Sequence, residues 1–246
     1  GRALTGVREE ELLEELLTLS GARRAELEVV TLSPREECLG PLGSAFALEG
    51  EGVHIEDLSL AMAGRHQLEN AALAAQAALM LGLGEGAIRE GLKGAKLPGR
   101  GELMGGPPRV LLDGAHNRDK AAALAETLPL YQAGRRLFLL AMVHNKDAEA
   151  FVEVLAPFMD EALVTVPGVT HRLACPPERL VRALKDCGVS SRVNLDPQDA
   201  LQELMTRAGP GDLICATGSL FLVGQLRKRW VSEEAMLGAG TAFPGE

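Results

Sequence analysis

The spacing of apolar residues divides the chain into two parts with different periodicities. In the first part, leucines spaced by three or four positions among acidic residues predict a helix over Glu9–Leu19. An alanine-rich run predicts a longer helix over Glu69–Leu83, followed by a short one at Ala87–Leu92. Glu26–Thr31 is typical of a strand. Three short segments between glycine and acidic residues predict a small antiparallel meander: Ala45–Leu48, Val53–Ile55 and Leu58–Ala61.

In the second part, apolar strands alternate strictly with amphipathic helices. The predicted strands are Val110–Asp113, Leu137–Val143, Ala162–Val166, Arg192–Leu195 and Asp212–Thr217. The predicted helices are Asp119–Leu128, Ala148–Phe158, Pro177–Asp186, Pro197–Arg207 and Leu220–Arg229. Such βα units predict an α/β fold with a doubly wound, mostly parallel sheet, which binds ligands at the carboxyl ends of its strands. Because LPGRG at residues 97–101 breaks helix propensity, we expect one domain over residues 1–96 and another over 97–246.

Composition excludes several classes of protein. The 246 residues carry a formal net charge of −9 with isolated cations, which argues against nucleic acid as a partner. The longest apolar stretch, Leu137–Val143, is far too short to span a membrane, and no signal-peptide pattern opens the chain, so we expect a soluble, cytoplasmic protein. The four cysteines lack CxxC spacing and are expected to be reduced structural thiols rather than metal ligands.

The two ends of the chain carry their own expectations. The sequence begins with Gly1 rather than methionine, and its opening segment reads as the middle of a fold, so we expect a fragment or a processed chain. The closing segment, residues 238–246, is expected to be frayed.

Polar residues are concentrated directly after the first strand of the second part. Asp113, His116 and Asn117 follow the apolar run within five positions and precede a helix. A carboxylate, an imidazole and a carboxamide at a strand end are typical of a ligand site. The alternative is that Asp113 or Asn117 only caps the following helix.

A second candidate site follows the last strand. Cys215–Ser219 leads into a helix and brings two hydroxyl groups, from Thr217 and Ser219, to free backbone amides at the helix start. Such a position favours an anion. The alternative is that Thr217 or Ser219 is a helix cap.

Two more polar residues stand in unusual places. Asn70 lies near the start of a very apolar helix, where its carboxamide suits an adenine edge, although simple capping would also account for it. Arg100 lies between the two predicted domains; its guanidinium suits a phosphate, although a solvated linker arginine is the commoner case.

Five segments in order resemble the folylpolyglutamate and dihydrofolate synthases of the Mur ligase superfamily. They are GRHQLENAALAA from residue 64, PGRGE from 98, LLDGAHN from 111, NKD from 145 and ATGSLFLVG from 216. The resemblance covers Phe46–Arg229. It implies that residues 97–246 form the Rossmann-like carboxyl-terminal domain of such a ligase, preceded by the end of a P-loop ATPase domain.

The resemblance also implies an activity and roles for individual residues. The expected reaction is ATP-dependent addition of L-glutamate to a folate or dihydropteroate carboxylate through an acyl phosphate, with ATP and Mg²⁺ as cofactors. By analogy Asn70 contacts adenine, Arg100 the phosphates, and Asp113 the ribose or phosphate region. The incoming glutamate would be bound by His116, Asn117 and Ser219. Lys146 would add positive potential, so that Asp113, His116 and Lys146 form the expected catalytic set.

One departure from the family shapes the hypothesis. No GxxxxGK[ST] sequence occurs, so the loop that binds the β and γ phosphates and places Mg²⁺ is absent, and no metal ligand is assigned. We expect a chain that is inactive alone and needs an amino-terminal ATPase portion, the complete ligase being a monomer. The alternatives are a nucleotide- or folate-binding module without catalysis and a ligase of cell-wall precursors. A dinucleotide dehydrogenase is disfavoured because no GxGxxG follows a strand.

Overall fold

A computed structural model of the chain describes residues 1–50, 52–168 and 173–238. The chain forms two compact units, Gly1–Ala95 and Lys96–Glu246, and each is described by itself. The expected fraying concerns residues that, except for Gly238, lie outside the described part of the chain. No helix in the described part has the length and apolar character needed to cross a membrane.

The first unit combines two small sheets with three helices in its described residues. Its elements are β1 (Arg2–Thr5), α1 (Glu10–Ala22), β2 (Glu26–Val29), β3 (Ser33–Gly40), β4 (Gly43–Gly50), β5 (Val53–Leu60), α2 (Arg65–Met80) and α3 (Glu85–Gly94). β1 and β2 pair in parallel, and β3, β4 and β5 form an antiparallel sheet in that order. Side chains of β4, β5 and α2 form the core, including Phe46, Ile55 and Leu68. By contrast, none of the residues of α1 is buried.

The predicted meander is confirmed, but its strand boundaries were wrong. Val53–Ile55 and Leu58–Ala61 were expected as two segments, yet a single strand, β5, covers nearly all of both. The register between β4 and β5 shifts where Asp57 adopts a positive φ of 55°, which is typical of a bulge. The bulge inserts polar residues into an apolar run and so makes one strand look like two.

The second unit is an α/β fold with a six-stranded, mostly parallel sheet. Its elements are β6 (Glu102–Met104), β7 (Arg109–Leu112), α4 (Arg118–Thr127), β8 (Arg136–Leu140), α5 (Ala148–Leu155), β9 (Glu161–Val164), α6 (Pro177–Asp186), β10 (Ser191–Val193), α7 (Pro197–Arg207), β11 (Leu213–Thr217), α8 (Leu220–Arg227) and α9 (Glu233–Gly238). The strand order is β10-β9-β8-β11-β7-β6, and only β6 is antiparallel to its neighbour. The predicted α/β class and mostly parallel sheet are therefore confirmed.

The strand order brings three loops to one edge of this sheet. β11 lies between β8 and β7 and is parallel to both, so the segments that follow these three strands emerge side by side. The central strands are almost completely buried, for example Val110, Phe138 and Ile214. Such a rigid base fixes the positions of the residues that follow the strands.

Candidate functional site

Asp113 lies at the carboxyl edge of the sheet, where the parallel strands end, and its hydrogen bonds join several segments there. Its Oδ2 accepts the backbone N–H of Gly101 at 2.9 Å, and its Oδ1 accepts the N–H of Ala115 at 2.8 Å. Its own N–H donates to the carbonyl of Ala216 at 3.0 Å. The carboxylate thus joins the turn at residues 98–101 to the loop after β7, and it does not cap α4.

The turn that carries Arg100 is an integral part of the second unit. The N–H of Gly114 donates to the carbonyl of Gly99 at 2.8 Å, and a Cβ added at Gly114 would lie 3.4 Å from Arg100 Nη1. The same Cβ would lie 2.2 Å from Leu220 Cδ2, so position 114 has no room for a side chain. The guanidinium of Arg100 therefore lies over the backbone of the loop after β7, and Arg100 is not a solvated linker residue.

The buried side chain of Tyr131 forms a hydrogen bond to the turn at residues 98–101. The hydroxyl of Tyr131 donates to the carbonyl of Gly101 at 3.3 Å. Burial, together with the negative charge of Asp113, raises the pKa of Tyr131 far above its usual value. The hydroxyl is therefore a permanent donor at neutral pH.

His116 is the half-buried imidazole of the site. Its Nδ1 lies 2.8 Å from the carbonyl oxygen of Gly114, so Nδ1 carries the proton and donates it. Its Nε2 lies 3.3 Å from the ammonium group of Lys120, which donates to it. Burial lowers the pKa of His116, and the positive charges of Lys120, Lys146 and Arg100 lower it further against the opposing Gly114 hydrogen bond. The imidazole is neutral at neutral pH.

Three cations therefore act electrostatically on one neutral imidazole. We call Arg100, Lys120 and Lys146 the cation cluster. Burial lowers the pKa of Lys120, and the like charges of Arg100 and Lys146 lower it further, while Asp113 opposes them. Sequence analysis identified Arg100 and Lys146 and missed Lys120. Its spacing of four residues from His116, at the start of a predicted helix, was the available signal.

Two of the predicted ligand residues are helix caps in the structure. Asn117 Oδ1 accepts the N–H of Lys120 at 3.0 Å at the start of α4. Ser219 is buried, and its Oγ accepts the N–H of Phe221 at 3.2 Å at the start of α8. Both caps leave a donor on the same side chain, the carboxamide NH₂ or the hydroxyl hydrogen. Capping thus accounts for their position, and the ligand role stays a prediction.

The end of β11 packs tightly against the neighbouring loops. Thr217 donates its hydroxyl to the carbonyl of Ala115 at 3.4 Å, and the N–H of Gly218 donates to the same carbonyl at 2.9 Å. Gly218 has a φ of +99°, and a Cβ there would lie 2.4 Å from the carbonyl oxygen of Ala141. Only glycine fits this contact between the loops that follow β8 and β11.

An ion pair supports the turn from α8. Arg227 Nε lies 2.9 Å from both carboxylate oxygens of Glu102, and the two side chains are 17% and 22% exposed. Glu102 Oε2 also accepts the N–H of Gly99 at 2.9 Å. The carboxylate therefore joins α8 to the turn that carries Arg100.

This ion pair should be energetically coupled. In a double-mutant cycle of Glu102→Gln and Arg227→Met, we expect a coupling free energy of about 1 kcal/mol, because the partly buried pair is less screened than a surface pair. Urea unfolding followed by the fluorescence of Trp230, the single tryptophan, which packs against the core of this unit, measures it. The exposed pair Lys228–Glu233 is the control and should give less than about 0.5 kcal/mol. Equal coupling in both cycles would contradict the expectation.

The first unit contributes one predicted site residue. Asn70 Nδ2 donates to Oε1 of the buried Gln67 at 3.2 Å, and Gln67 Nε2 lies 3.0 Å from His66 Nε2. The helix α2 begins after Gly64 without a side-chain cap. Asn70 is exposed and is not a cap, so the capping interpretation is wrong for this residue.

Within the described residues, no three or more His, Cys, Asp and Glu side chains are grouped so as to hold a metal ion. The four cysteines are free, and burial raises the pKa of Cys175 and Cys215, so these two thiols are neutral.

Comparison with known proteins places the site in a family. Residues 99–220, which include Arg100, Asp113, His116 and Lys146, match the family described as Mur ligase, glutamate ligase domain. The second unit belongs to the Mur ligase family. The match begins within the turn that carries Arg100 and ends directly after Ser219.

Individual relatives extend the likeness beyond this Mur ligase domain. A dihydrofolate synthase/folylpolyglutamate synthase of Bacillus subtilis is 31% identical over 205 residues, which are 79% of this chain and 46% of the relative. A probable bifunctional folylpolyglutamate synthase/dihydropteroate synthase of Halobacterium salinarum is 34% identical over 177 residues, 68% of this chain and 20% of the relative. The folylpolyglutamate synthase of Mycobacterium tuberculosis complexed with ADP superposes with a TM-score of 0.80 at 28% identity, covering 93% of this chain and 54% of that one.

These figures define the extent of the match. The chain spans about half of the length of the relatives from B. subtilis and M. tuberculosis, and less of the third. Its predicted resemblance to folylpolyglutamate and dihydrofolate synthases of the Mur ligase superfamily is confirmed.

Proposed function

We propose that this chain is the glutamate-binding part of an ATP-dependent ligase that joins L-glutamate to the carboxylate of a folate or of dihydropteroate. The observation that carries the proposal is the cation cluster beside a neutral His116, at the carboxyl edge of a Mur ligase glutamate ligase domain. Positive charge at this edge suits ATP, L-glutamate and the folate or dihydropteroate carboxylate, which all carry negative charge.

Each predicted residue receives a role in this proposal. Arg100 binds the nucleotide phosphates, because its guanidinium can donate two parallel hydrogen bonds to an oxyanion. Asp113 faces the ribose or phosphate region and also fixes the turn beneath Arg100 through the N–H of Gly101. Asn70, exposed on α2, contacts adenine. Lys146 adds positive potential.

The incoming glutamate is assigned to the loops after β7 and β11. Asn117 and Ser219 each keep a hydrogen-bond donor besides the oxygen that caps a helix. These donors suit a carboxylate of the amino acid. His116 is assigned to the amino group of the same substrate, because its Nε2 can accept a hydrogen bond when the imidazole is neutral.

The proposed reaction has two steps. The substrate carboxylate attacks the γ-phosphorus of ATP, ADP leaves, and an acyl phosphate forms. The glutamate amine then attacks the acyl carbon, the carbon–oxygen bond to phosphate breaks, and an amide and inorganic phosphate result. The amine loses a proton in this step, and a neutral imidazole can accept it, which supports the assignment of His116 to the catalytic set with Asp113 and Lys146.

Two components of the proposed reaction have no counterpart in the sequence or in the described residues. The sequence lacks a GxxxxGK[ST] loop, and the described residues offer no ligand set for Mg²⁺. We therefore assign no step to the metal here, and we propose that an amino-terminal ATPase portion supplies the loop and the metal. The cofactors of the complete enzyme would be ATP and Mg²⁺, and the complete enzyme would act as a cytoplasmic monomer.

An activity assay tests this proposal. The natural polypeptide is isolated from its source cell, its intact mass is measured, and ATP-dependent incorporation of labelled L-glutamate into dihydropteroate and tetrahydrofolate is followed beside the 246-residue chain. We expect a longer polypeptide that forms the amide and a 246-residue chain that does not. A natural polypeptide that binds nucleotide without forming an amide would overturn the ligase assignment in favour of a binding module.

A further inference from the structure

The charge around His116 is unbalanced. The whole chain has a net charge of −9, yet Lys120 Nζ lies 3.3 Å from Nε2 of this imidazole, and Lys146 and Arg100 also lower its pKa. Asp113 is the carboxylate that opposes the lowered pKa of Lys120. One carboxylate against three cations leaves a positive balance among the charged groups that act on this pair, and an oxyanion ligand would offset it.

Lys120 is the member of the cation cluster that lies outside the five short segments on which the family resemblance was recognised. It lies on the first turn of α4, four residues after His116, and its ammonium donates to Nε2 at 3.3 Å. This contact uses one of the three ammonium hydrogens. The residue is exposed, so neither packing nor burial requires a lysine here.

We propose that Lys120 is a ligand-binding residue whose ammonium group, beside His116 Nε2, binds a carboxylate of the incoming amino acid. The position on α4 supports this, because the ammonium lies at the carboxyl edge of the sheet and beside the imidazole assigned to that substrate. The proposal rests on the proposed function only for the identity of the ligand as an amino acid; the oxyanion site is argued from the 3.3 Å contact between Lys120 and His116 Nε2 and from the neighbouring charges.

The chemistry shared by the possible ligands is an oxyanion, either a carboxylate or a phosphate. A lysine ammonium is a compact point charge that binds either group. Residues 99–220 match a glutamate ligase domain, and Lys120 lies within this segment. The match favours the carboxylate for Lys120, with phosphate as the competing source.

The imidazole of His116 provides a direct readout that needs no ligation. The ¹⁵N resonances of the His116 ring are recorded against pH in the 246-residue chain, alone and with L-glutamate, L-glutamine or inorganic pyrophosphate. An anion beside Nε2 stabilises the imidazolium and raises the pKa of His116. We expect L-glutamate to raise it; a response to L-glutamine as well would assign the α-carboxylate, and no response to L-glutamine the side-chain carboxylate.

A matched pair of variants tests the lysine itself. Lys120→Met removes the charge and should raise the pKa of His116 without ligand, because a nearby cation is lost. It should also weaken L-glutamate binding about tenfold or more, as loss of a hydrogen bond to a charged group does. Lys185→Met is the control, since Lys185 is exposed on the last turn of α6, at the opposite edge of the sheet, and should change neither quantity.

Two results would overturn the proposal. A response of His116 to pyrophosphate but not to L-glutamate would assign the site to a phosphate instead. Unaltered L-glutamate affinity in Lys120→Met would exclude the ammonium as a ligand. Neither result bears on whether the natural polypeptide forms an amide, so this test and the ligation assay can fail independently.

Discussion

Replacing Asp113 by asparagine is expected to lower kcat/KM for glutamate ligation by the complete enzyme about 100-fold or more, because misplacement of a binding group by about 1 Å costs this much. The carboxylate accepts N–H groups from Gly101 and Ala115, one on each oxygen. A carboxamide offers one oxygen, and its NH₂ group faces an N–H that also donates. The turn should therefore move and displace Arg100.

The control for this prediction is an aspartate at the opposite end of the parallel strands, where the strands begin. Asp186 is the exposed last residue of α6, and Asp186→Asn should leave kcat/KM unchanged. Steady-state rates at varied ATP and varied L-glutamate, together with urea unfolding of each variant, separate a misplaced Arg100 from a general loss of stability. An Asp113→Asn enzyme with unchanged kinetics would contradict both the proposed role of Asp113 and the role of the turn.

Gly218→Ala should destabilise the second unit by about 3 kcal/mol or more. A non-glycine residue in the left-handed region costs about 1–2 kcal/mol, and overpacking adds about 1–3 kcal/mol. The added Cβ would lie 2.4 Å from the carbonyl oxygen of Ala141, a backbone atom that cannot move without shifting the loop after β8. Urea unfolding followed by Trp230 fluorescence measures the loss.

A second glycine isolates the steric part of this effect. Gly188 has a similar positive φ of 75°, but nothing lies within 4 Å of a Cβ added there. Gly188→Ala should therefore cost only the conformational part, about 1–2 kcal/mol. If both variants lose the same stability, the close approach to Ala141 does not restrict position 218.

The sequence predicted the second unit well because its central strands β7, β8, β9 and β11 are largely buried and its helices carry strong start signals. α6 and α7 have the bounds that were predicted. Each begins with a proline, which favours the first turn of a helix. Asp196 also caps α7, because its side chain accepts the N–H groups of Gln198 and Asp199. Continuous apolar runs and N-terminal prolines are local properties, so a single sequence reveals them.

Elements that depend on distant partners were missed. β3 is rich in charged residues, and β6 has three residues after a glycine-rich turn, so neither has an apolar pattern. Each is a strand because it pairs with a neighbour, β4 or β7. Strand propensity depends on such context, which a window of sequence does not contain.

The candidate site likewise contains residues that a local motif reveals and contacts that depend on distant parts of the chain. The segments containing Asp113, His116 and Ser219 were identified because motifs are contiguous in sequence. Capping was the alternative that the sequence offered for Asn117 and Ser219, and both side chains are caps. The two backbone partners of Asp113 could not be predicted, because Gly101 lies on another element. The proximity of Lys146 to His116 likewise depends on the order of β7, β11 and β8 in the sheet.

The antiparallel strand β6 has a consequence for how the protein can be truncated. It covers the outer edge of β7, where Val110 and Leu111 pair with Met104 and Leu103. A fragment that starts after residue 105 would expose the backbone hydrogen-bonding groups of an apolar strand, and exposed apolar edges promote aggregation. A fragment that starts at Lys96 keeps both the edge strand and the turn that carries Arg100, so it is expected to stay dispersed in solution.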